Sequence, residues 1–328
     1  MKRESRLGRA LWLVLLVLLG GYVVADFVRS PFSAPRGAAA VRRAAVTIWA
    51  PAGEAGDETG SVLNQAAAGL ELGGHATSLK TIPGGSAEAV ISFLSHPRPG
   101  RGQLLAITST TLADLAHDRR ETLVPGAAEE AALARALLRR SKPIGILASD
   151  PLELAVERGS PIMNGSELVA SVAAAPGEQL FGIDDDTFSR DQLAAFVEGA
   201  GVDGEVHFTV FQSAGQASEA IGTGTAETVL AGRSALAHAR LRQLGWPLHT
   251  PQPRSWVALI ARPSVDAADL ETLRRWVSDL QREPHFRAHI RAEGRRPADP
   301  GTHALASLVR HTAAADRLEE VAERVERN

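Results

Sequence analysis

Apolar and polar positions along this chain follow two periods that take turns. Val46 to Trp49 clusters apolar and β-branched residues and Pro51 stops the run, so a short buried strand is expected there. Gly53 and Gly56 then open a turn, and the Ala-rich run from Glu58 to Leu70 follows as a helix. The unit recurs. His75 to Ile82 reads as a strand, Pro83-Gly84-Gly85 as its turn, and Ser86 to about Leu94 as a helix. Gln103 to Thr108 reads as a third strand, with Ser109-Thr110-Thr111 opening a helix over Leu112 to Ala116. Three strand, polar turn and helix units in succession predict an α/β fold built on a parallel sheet. Ligands of such sheets collect beyond the carboxyl ends of the strands. Gly53/Gly56, Gly84/Gly85 and Ser109/Thr110 all fall at that edge.

The pattern continues less regularly. Ala127 to Arg140 is strongly helical, and Pro143 to Ala148 and Leu152 to Val156 read as paired strands around a turn at Ser149-Asp150-Pro151. A helix is expected over Pro161 to Ala174, entered through Ser160 and Pro161. Leu180 to Ile183 reads as a strand, Asp191 to Glu198 as a helix, Val206 to Phe211 as a strand, and Gln216 to Ile221 as a helix start. Glu227 to Leu244 mixes an apolar piece with a helix carrying Arg233, Arg240 and Arg242. Ser255 to Ala261 is a clear strand, after which Asp266 caps a helix with Asp269 in its first turn and Leu270, Leu273, Val277 and Leu280 at helical spacing. Pro284 ends it. Helices over His285 to Glu293 and His303 to about Arg327 complete the chain.

At its N-terminus the alternation gives way to one uncharged apolar run, Ala10 to Ala25, preceded by Lys2, Arg3, Arg6 and Arg9. Basic residues on that flank orient such a segment inward, so the rest of the chain is expected outside the cytoplasmic membrane. The run lies between a signal-peptide core and a full span. Both an uncleaved anchor and a signal cleaved near Ala25 or Ala40 fit it. Arg29 to Arg43, rich in Ser, Pro, Ala and Gly, reads as a flexible stalk.

Composition narrows the chemistry. The formal net charge of −3 over 328 residues leaves no footprint for nucleic acid. The absence of cysteine removes disulfides, thiolate metal sites, cysteine nucleophiles and a lipid-modified cysteine together. A strand running through a glycine turn into a helix N-terminus aims backbone N–H groups at whatever lies in front, which makes an anion site. Gly53/Gly56, Gly84/Gly85 with Ser86, and Ser109/Thr110 are the places for one, set against plain turn formation and helix capping. Asp184-Asp185-Asp186 supplies oxygen ligands without the spacing of a calcium loop. His285 and His289 are four apart, as in a metal pair, but no third ligand is evident. Neither a nucleophile elbow nor a phosphate-loop lysine occurs. No catalytic constellation, metal or cofactor is therefore expected.

The ordered set of motifs resembles the solute-binding receptors of tripartite tricarboxylate transporters, the Bug-type extracytoplasmic binding proteins. Ala45-Val-Thr-Ile-Trp-Ala-Pro51 is similar to the family's opening strand, Ile82 to Ser86 to its second glycine loop, and Leu104 to Thr111 to its third strand and hydroxyl-rich turn. Pro143 to Pro161, Arg254 to Pro263 and Glu283 to Gly294 resemble its later segments in the same order. The resemblance implies a two-lobed periplasmic-binding fold with a mixed sheet in each lobe, closing over a small carboxylate. It implies lobe I over residues 44–145 and 254–328, and lobe II over 146–253, behind a basic flank (1–9), a hydrophobic helix (10–28) and a stalk (29–43). The implied ligand contacts are Gly53, Gly56, Gly84, Gly85, Ser86, Ser109 and Thr110 on lobe I, with Thr187 and Ser213 on lobe II. The implied partners are a small organic acid, membrane permease subunits and the cytoplasmic membrane through the N-terminal helix. Two departures concern charge. Asp184 to Asp186 stand where the family carries a hydroxyl- and glycine-rich cradle, and Glu54, Asp57 and Glu58 crowd the first turn. An envelope sensor or interaction module on the same fold, and an exported enzyme, are the alternatives.

Overall fold

Strand β1 (Val46–Pro51) is buried on both faces, as a run of apolar and β-branched residues requires of a central strand. It pairs in parallel with β2 (Thr77–Ile82) on one side and β3 (Gly102–Thr108) on the other. The strands β1 and β3 approach so closely that a Cβ on Gly102 would run into the Ala45 carbonyl. Edge strand β2 is mostly exposed or half-buried, and its Lys80 ammonium lies 5.3 Å above the Trp49 ring. These relations come from a computed structural model describing residues 45–299, apart from 53–57, 96–101, 118–126, 176, 185–186, 203–205, 238 and 248–251. The N-terminal apolar run, the stalk and the helix expected over His303 to Arg327 lie outside the described residues. Among the described residues no helix is long and apolar enough to cross a membrane.

Helices α1 (Glu58–Leu72), α2 (Ser86–Ser95) and α3 (Ser109–His117) follow β1, β2 and β3 in turn, and α4 (Ala127–Arg140) follows them. The sheet then continues antiparallel through β9 (Arg254–Ala261) to β4 (Lys142–Glu157). Strand β4 joins the two parts of the molecule. Lys142 to Pro151 pairs with β9, and Leu152 to Val156 pairs with β7 (Thr228–Gly232). Beyond β7 lie β5 (Leu180–Asp184) and edge strand β6 (His207–Phe211), both parallel to it in direction, giving the order β2-β1-β3-β9-β4-β7-β5-β6. Short strands β8 (Leu241–Gln243) and β10 (Arg296–Pro297) pair with β4.

The turn expected at Ser149-Asp150-Pro151 does not form; β4 runs straight through it. Pro151, which has no N–H to give, sits where the strand changes neighbour, and Asp150 is 2% exposed with its carboxylate occupied by another element. Register shifts at Pro143/Gly145 and Ile146/Ala148 let so long a strand twist. Helix α5 (Gly165–Ala174) starts later than Pro161 because Asn164 and Glu167 form a reciprocal cap, with Asn164 accepting from the Glu167 amide at 3.0 Å. Arg240 and Arg242 are not on a helix. Arg242 lies on β8 and donates to the carbonyls of Ser160 at 2.9 Å and Ile162 at 3.1 Å, pinning the loop before α5.

The second part carries α6 (Thr187–Gly199), α7 (Ala214–Gly222) and the single turn α8 (Arg233–Leu236). Helices α9 (Ala267–Arg282) and α10 (Pro284–Ala292) return to the first part, and Asp266 caps α9 by accepting from the Asp269 amide at 2.7 Å. Each part has a core on both sheet faces, because neighbouring strand residues point to opposite sides. Leu104 packs with Leu63, Val277 and Phe286, while Leu105 packs with Phe93, Leu138 and Ile260. In the second part Leu230 joins Phe181 and Phe196, and Val229 joins Ala217 and Ile221.

Candidate functional site

The carboxyl ends of β1, β2, β3, β5, β6 and β7 converge on one cavity of about 430 Å³. Pro51, Gly84 to Ser86 and Thr108 to Thr110 line it from the first part of the sheet. Asp184, Gln212 to Ala214 and Gly232 face them from the second. Its floor is the shared strand pair, with Asp150 and Leu152 from β4 and Ser255 to Val257 from β9, joined by Arg295. Opposite that floor the two parts touch again, where α3 packs on α6. Helices α1, α2, α3 and α7 begin at or near this cavity, so their unpaired amides and dipoles favour negative charge there.

The three turns expected to cradle an anion differ in what they leave available. Gly53 and Gly56 lie outside the described residues, though Thr59 in the first turn of α1 lines the cavity. Gly84 has φ of +100°, a conformation that glycine alone adopts freely, and a Cβ on it would collide with the Glu88 carboxylate. That carboxylate accepts from the Gly85 amide at 3.1 Å, so the second turn brings its own anion. Ser86 lines the cavity and donates to Asp114 at 2.6 Å, tying α2 to α3.

At the third turn the caps are Thr108 and Thr111 rather than Ser109 and Thr110. The Thr108 amide donates to the Thr111 hydroxyl oxygen at 3.0 Å, and the Thr111 amide donates to the Thr108 hydroxyl oxygen at 3.0 Å. This reciprocal pair fixes the turn and leaves Ser109 and Thr110 facing the cavity between its members. Ser109 is only 4% exposed, and its Oγ has no hydrogen-bond partner. A buried hydroxyl left without a partner costs about 1–3 kcal/mol.

On the second part, Ser213 lines the cavity while capping α7, accepting from the Gln216 amide at 3.3 Å; its hydroxyl hydrogen is still able to donate inward. Thr187 is the first residue of α6. Asp184, at the end of β5, brings one carboxylate of the acidic run to the cavity, and Asp185 and Asp186 lie outside the described residues.

Charge on the floor is balanced locally. The Ser234 amide donates to the Asp150 carboxylate at 3.2 Å and the Ser234 hydroxyl donates to it as well. Gly232 is where it must be, since a Cβ there would strike that carboxylate. Register places Arg296 opposite Ser149, so Arg295 stands one step on, opposite Asp150, with Gly294 (φ +79°) packed against the α8 turn. Nearby, Glu153 on β4 is bound by the Arg233 guanidinium, with Nε donating at 3.1 Å. Asp114 is held by Ser86. Asp184 is the carboxylate on the wall rather than on this floor. At an effective dielectric near 20, a second negative charge about 5 Å from it costs roughly 3 kcal/mol.

Asp114, Asp150, Ser255 and Arg295 were not expected at the site. Nothing in the sequence marks them for the site; Asp150 lies in Ser149-Asp150-Pro151, which reads as a turn. Trp256 on β9 is 8% exposed and also lines the cavity. A second cavity of about 610 Å³ between α6 and the β5/β6 edge is lined chiefly by apolar residues such as Leu193, Val197, Val206 and Phe208. No strand ends converge there. His289 does not form a metal pair with His285; its Nε2 lies 3.1 Å from Glu293 and 3.2 Å from the Ser61 hydroxyl. Ser61 also donates to the same Glu293 oxygen, so the carboxylate does not sit behind the imidazole as a catalytic triad requires. Among the described residues no group of three or more His, Cys, Asp or Glu could hold a metal.

No protein-family model matches the chain, and no curated protein matches it in sequence. Solved structures do. MatC from Rhodopseudomonas palustris with bound malate is 16% identical and has a TM-score of 0.59, with 84% of this chain and 98% of that one covered. An adipate-bound R. palustris protein is 18% identical at a TM-score of 0.58, covering 85% and 96%. A TctC solute-binding protein from Polaromonas is 15% identical at a TM-score of 0.61, covering 84% and 97%. These neighbours are solute-binding proteins of the TctC and Bug type, and the chain has their fold: an α/β periplasmic-binding architecture with a curled mixed sheet.

Proposed function

We propose that this chain is an extracytoplasmic solute-binding receptor, which captures a small organic acid between the two parts of its sheet and presents it to a membrane permease. One observation carries the reading. Six strand ends and the helices that follow them surround a cavity lined by Ser109, whose buried Oγ has no hydrogen-bond partner. A volume of about 430 Å³ suits a small solute. The fold shared with proteins bound to malate and adipate supports the same reading.

Lobe I, residues 44–145 and 254–328, would supply Gly84, Gly85, Ser86, Ser109 and Thr110, with Gly53 and Gly56 from the first turn. Lobe II, residues 146–253, would supply Ser213 and Thr187. The lobes are linked by β4 and β9, and rotation about these strands near Ala148 and Ser255 would open the cleft by parting α3 from α6. Binding closes it, and the closed form is what a permease reads. The N-terminal apolar run would hold the receptor at the outer face of the cytoplasmic membrane, or be removed after export.

A thermal-shift screen against mono-, di- and tricarboxylates and amino acids tests this. Ligand at about a hundred times its Kd adds about 2.7 kcal/mol, or roughly 5–10 °C in Tm. The expected result is a shift with at least one acid that Ser109→Ala weakens. No shift with any of them would remove the receptor reading.

A further inference from the structure

The two edges of the sheet are guarded differently. At one, β2 places Lys80 within the strand, a charge that discourages pairing with another chain. At the other, β6 reads His-Phe-Thr-Val-Phe, with no lysine, acid, proline or register shift to blunt it. Among the described residues no strand pairs with its outer side. Phe208 and Val210 share one face of β6 and are 50% and 36% exposed. Phe208 also lines the groove of about 610 Å³ beside α6, together with Leu193, Val197, Val202 and Val206. On the α6 side of that groove Arg190, Ala194 and Glu198 follow at four-residue spacing, with Asp191 next to Arg190. The stripe therefore has a cation near one end, a small residue in the middle and an anion at the other. An unguarded edge beside exposed apolar side chains is a surface for strand addition.

We propose that the occupant of this edge is a second copy of the chain, whose β6 adds antiparallel to this one about a two-fold axis at Thr209. That register sets Phe208 of each copy opposite Val210 of the other, so both exposed side chains gain a cross-strand neighbour about 5 Å away. The same axis turns the two α6 helices antiparallel. It carries Arg190 of each copy toward Glu198 of the other, with Ala194 between them. A two-fold contact requires a patch that complements itself, and a stripe with opposite signs at its ends does so. A five-residue strand pair alone buries less than a stable dimer needs, so the α6 flank and the groove complete the contact. Two sheets become one, and in each copy the part carrying β1, β2 and β3 is the part left to move. This surface is separate from the cavity at the strand ends, and the assignment does not depend on the receptor reading.

Disulfide trapping in the full chain, held in mild detergent, tests this cleanly because the sequence has no cysteine of its own. Thr209→Cys meets its own copy across the axis with Cα atoms about 5 Å apart, within reach of a disulfide, whereas His207→Cys lies about 14 Å from its copy. Mild oxidation should convert most of the Thr209→Cys chain to a reducible dimer and little of the His207→Cys chain. Sedimentation velocity then follows the chain without cysteine. The unsubstituted chain should associate as its concentration rises, and Phe208→Lys should hold it monomeric. Arg190→Glu and Glu198→Arg should each weaken association, and the two together should restore it. Circular dichroism of each variant checks that it is folded. A chain that stays monomeric throughout overturns the proposal, and so does an association that Phe208→Lys leaves intact, since it uses another surface. Trapping of His207→Cys as readily as Thr209→Cys overturns the two-fold register, and a double charge swap that restores nothing overturns the antiparallel α6 flanks.

Discussion

The turn after β2 and the turn after β3 share one sequence grammar, a strand followed by small or hydroxyl residues and then a helix, yet they offer a ligand different things. In the first, Glu88 reaches back to the Gly85 amide, so the helix start is satisfied from within and carries a negative charge. In the second, two threonines satisfy each other's amides and hold Ser109 between them with its hydroxyl unused. The pattern of small residues before a helix locates an anion site. Whether that site is open depends on a side chain three or four residues into the helix.

Removing the threonine pair has the largest expected effect. Thr108→Ala with Thr111→Ala takes both caps from α3 and should cost about 2 kcal/mol in urea unfolding, at roughly 1 kcal/mol per cap. Ligand affinity should fall with it. At the other turn, Gly84→Ala forces φ of +100° on a residue with a Cβ and drives that Cβ into Glu88. A loss of about 1–2 kcal/mol is expected from the backbone alone. Glu88→Ala in the same chain should recover the steric part and leave the backbone part, which a double-mutant cycle measures.

Ser109→Ala sharpens the contrast, because stability and binding should move apart. Unfolding free energy should stay level or rise by up to about 1 kcal/mol as an unpartnered hydroxyl is lost, while affinity drops about ten-fold. A parallel loss of both would mean the hydroxyl is structural. The smallest effect belongs to Glu88→Gln, which removes a charge beside the α2 start. It should cost under about 1 kcal/mol of stability and tighten the acid or amino acid that binds by a few-fold.

Much of the fold is legible because its units are local. The β1, β2 and β3 units each declare a strand by apolar content and a helix by spacing, and Asp266 with Asp269 announces the start of α9. Legibility fails where tertiary partners decide. Ser149-Asp150-Pro151 has the chemistry of a turn, but Asp150 serves Ser234 and β4 continues through it into the second part of the sheet. Arg240 and Arg242 fit a helical pattern, yet Arg242 is needed on β8 to bind the Ser160 and Ile162 carbonyls. At the cavity, Gly84, Gly85, Ser86, Ser109 and Thr110 could be named from sequence because strand ends mark the place, and Ser213 through the family resemblance. Asp150, Ser255 and Arg295 could not. They reach one floor from distant parts of the chain, and only the strand register brings them together.

Hydrogen exchange followed by mass spectrometry tests the central claim most directly, that one ligand engages both parts of the sheet. With the chain saturated by its tightest-binding acid or amino acid, amides over Thr108 to Ala113 and over Gln212 to Gln216 should slow together, as should the α3–α6 contact. Protection confined to one of the two segments, or falling instead on the α6–β6 cavity, would contradict it.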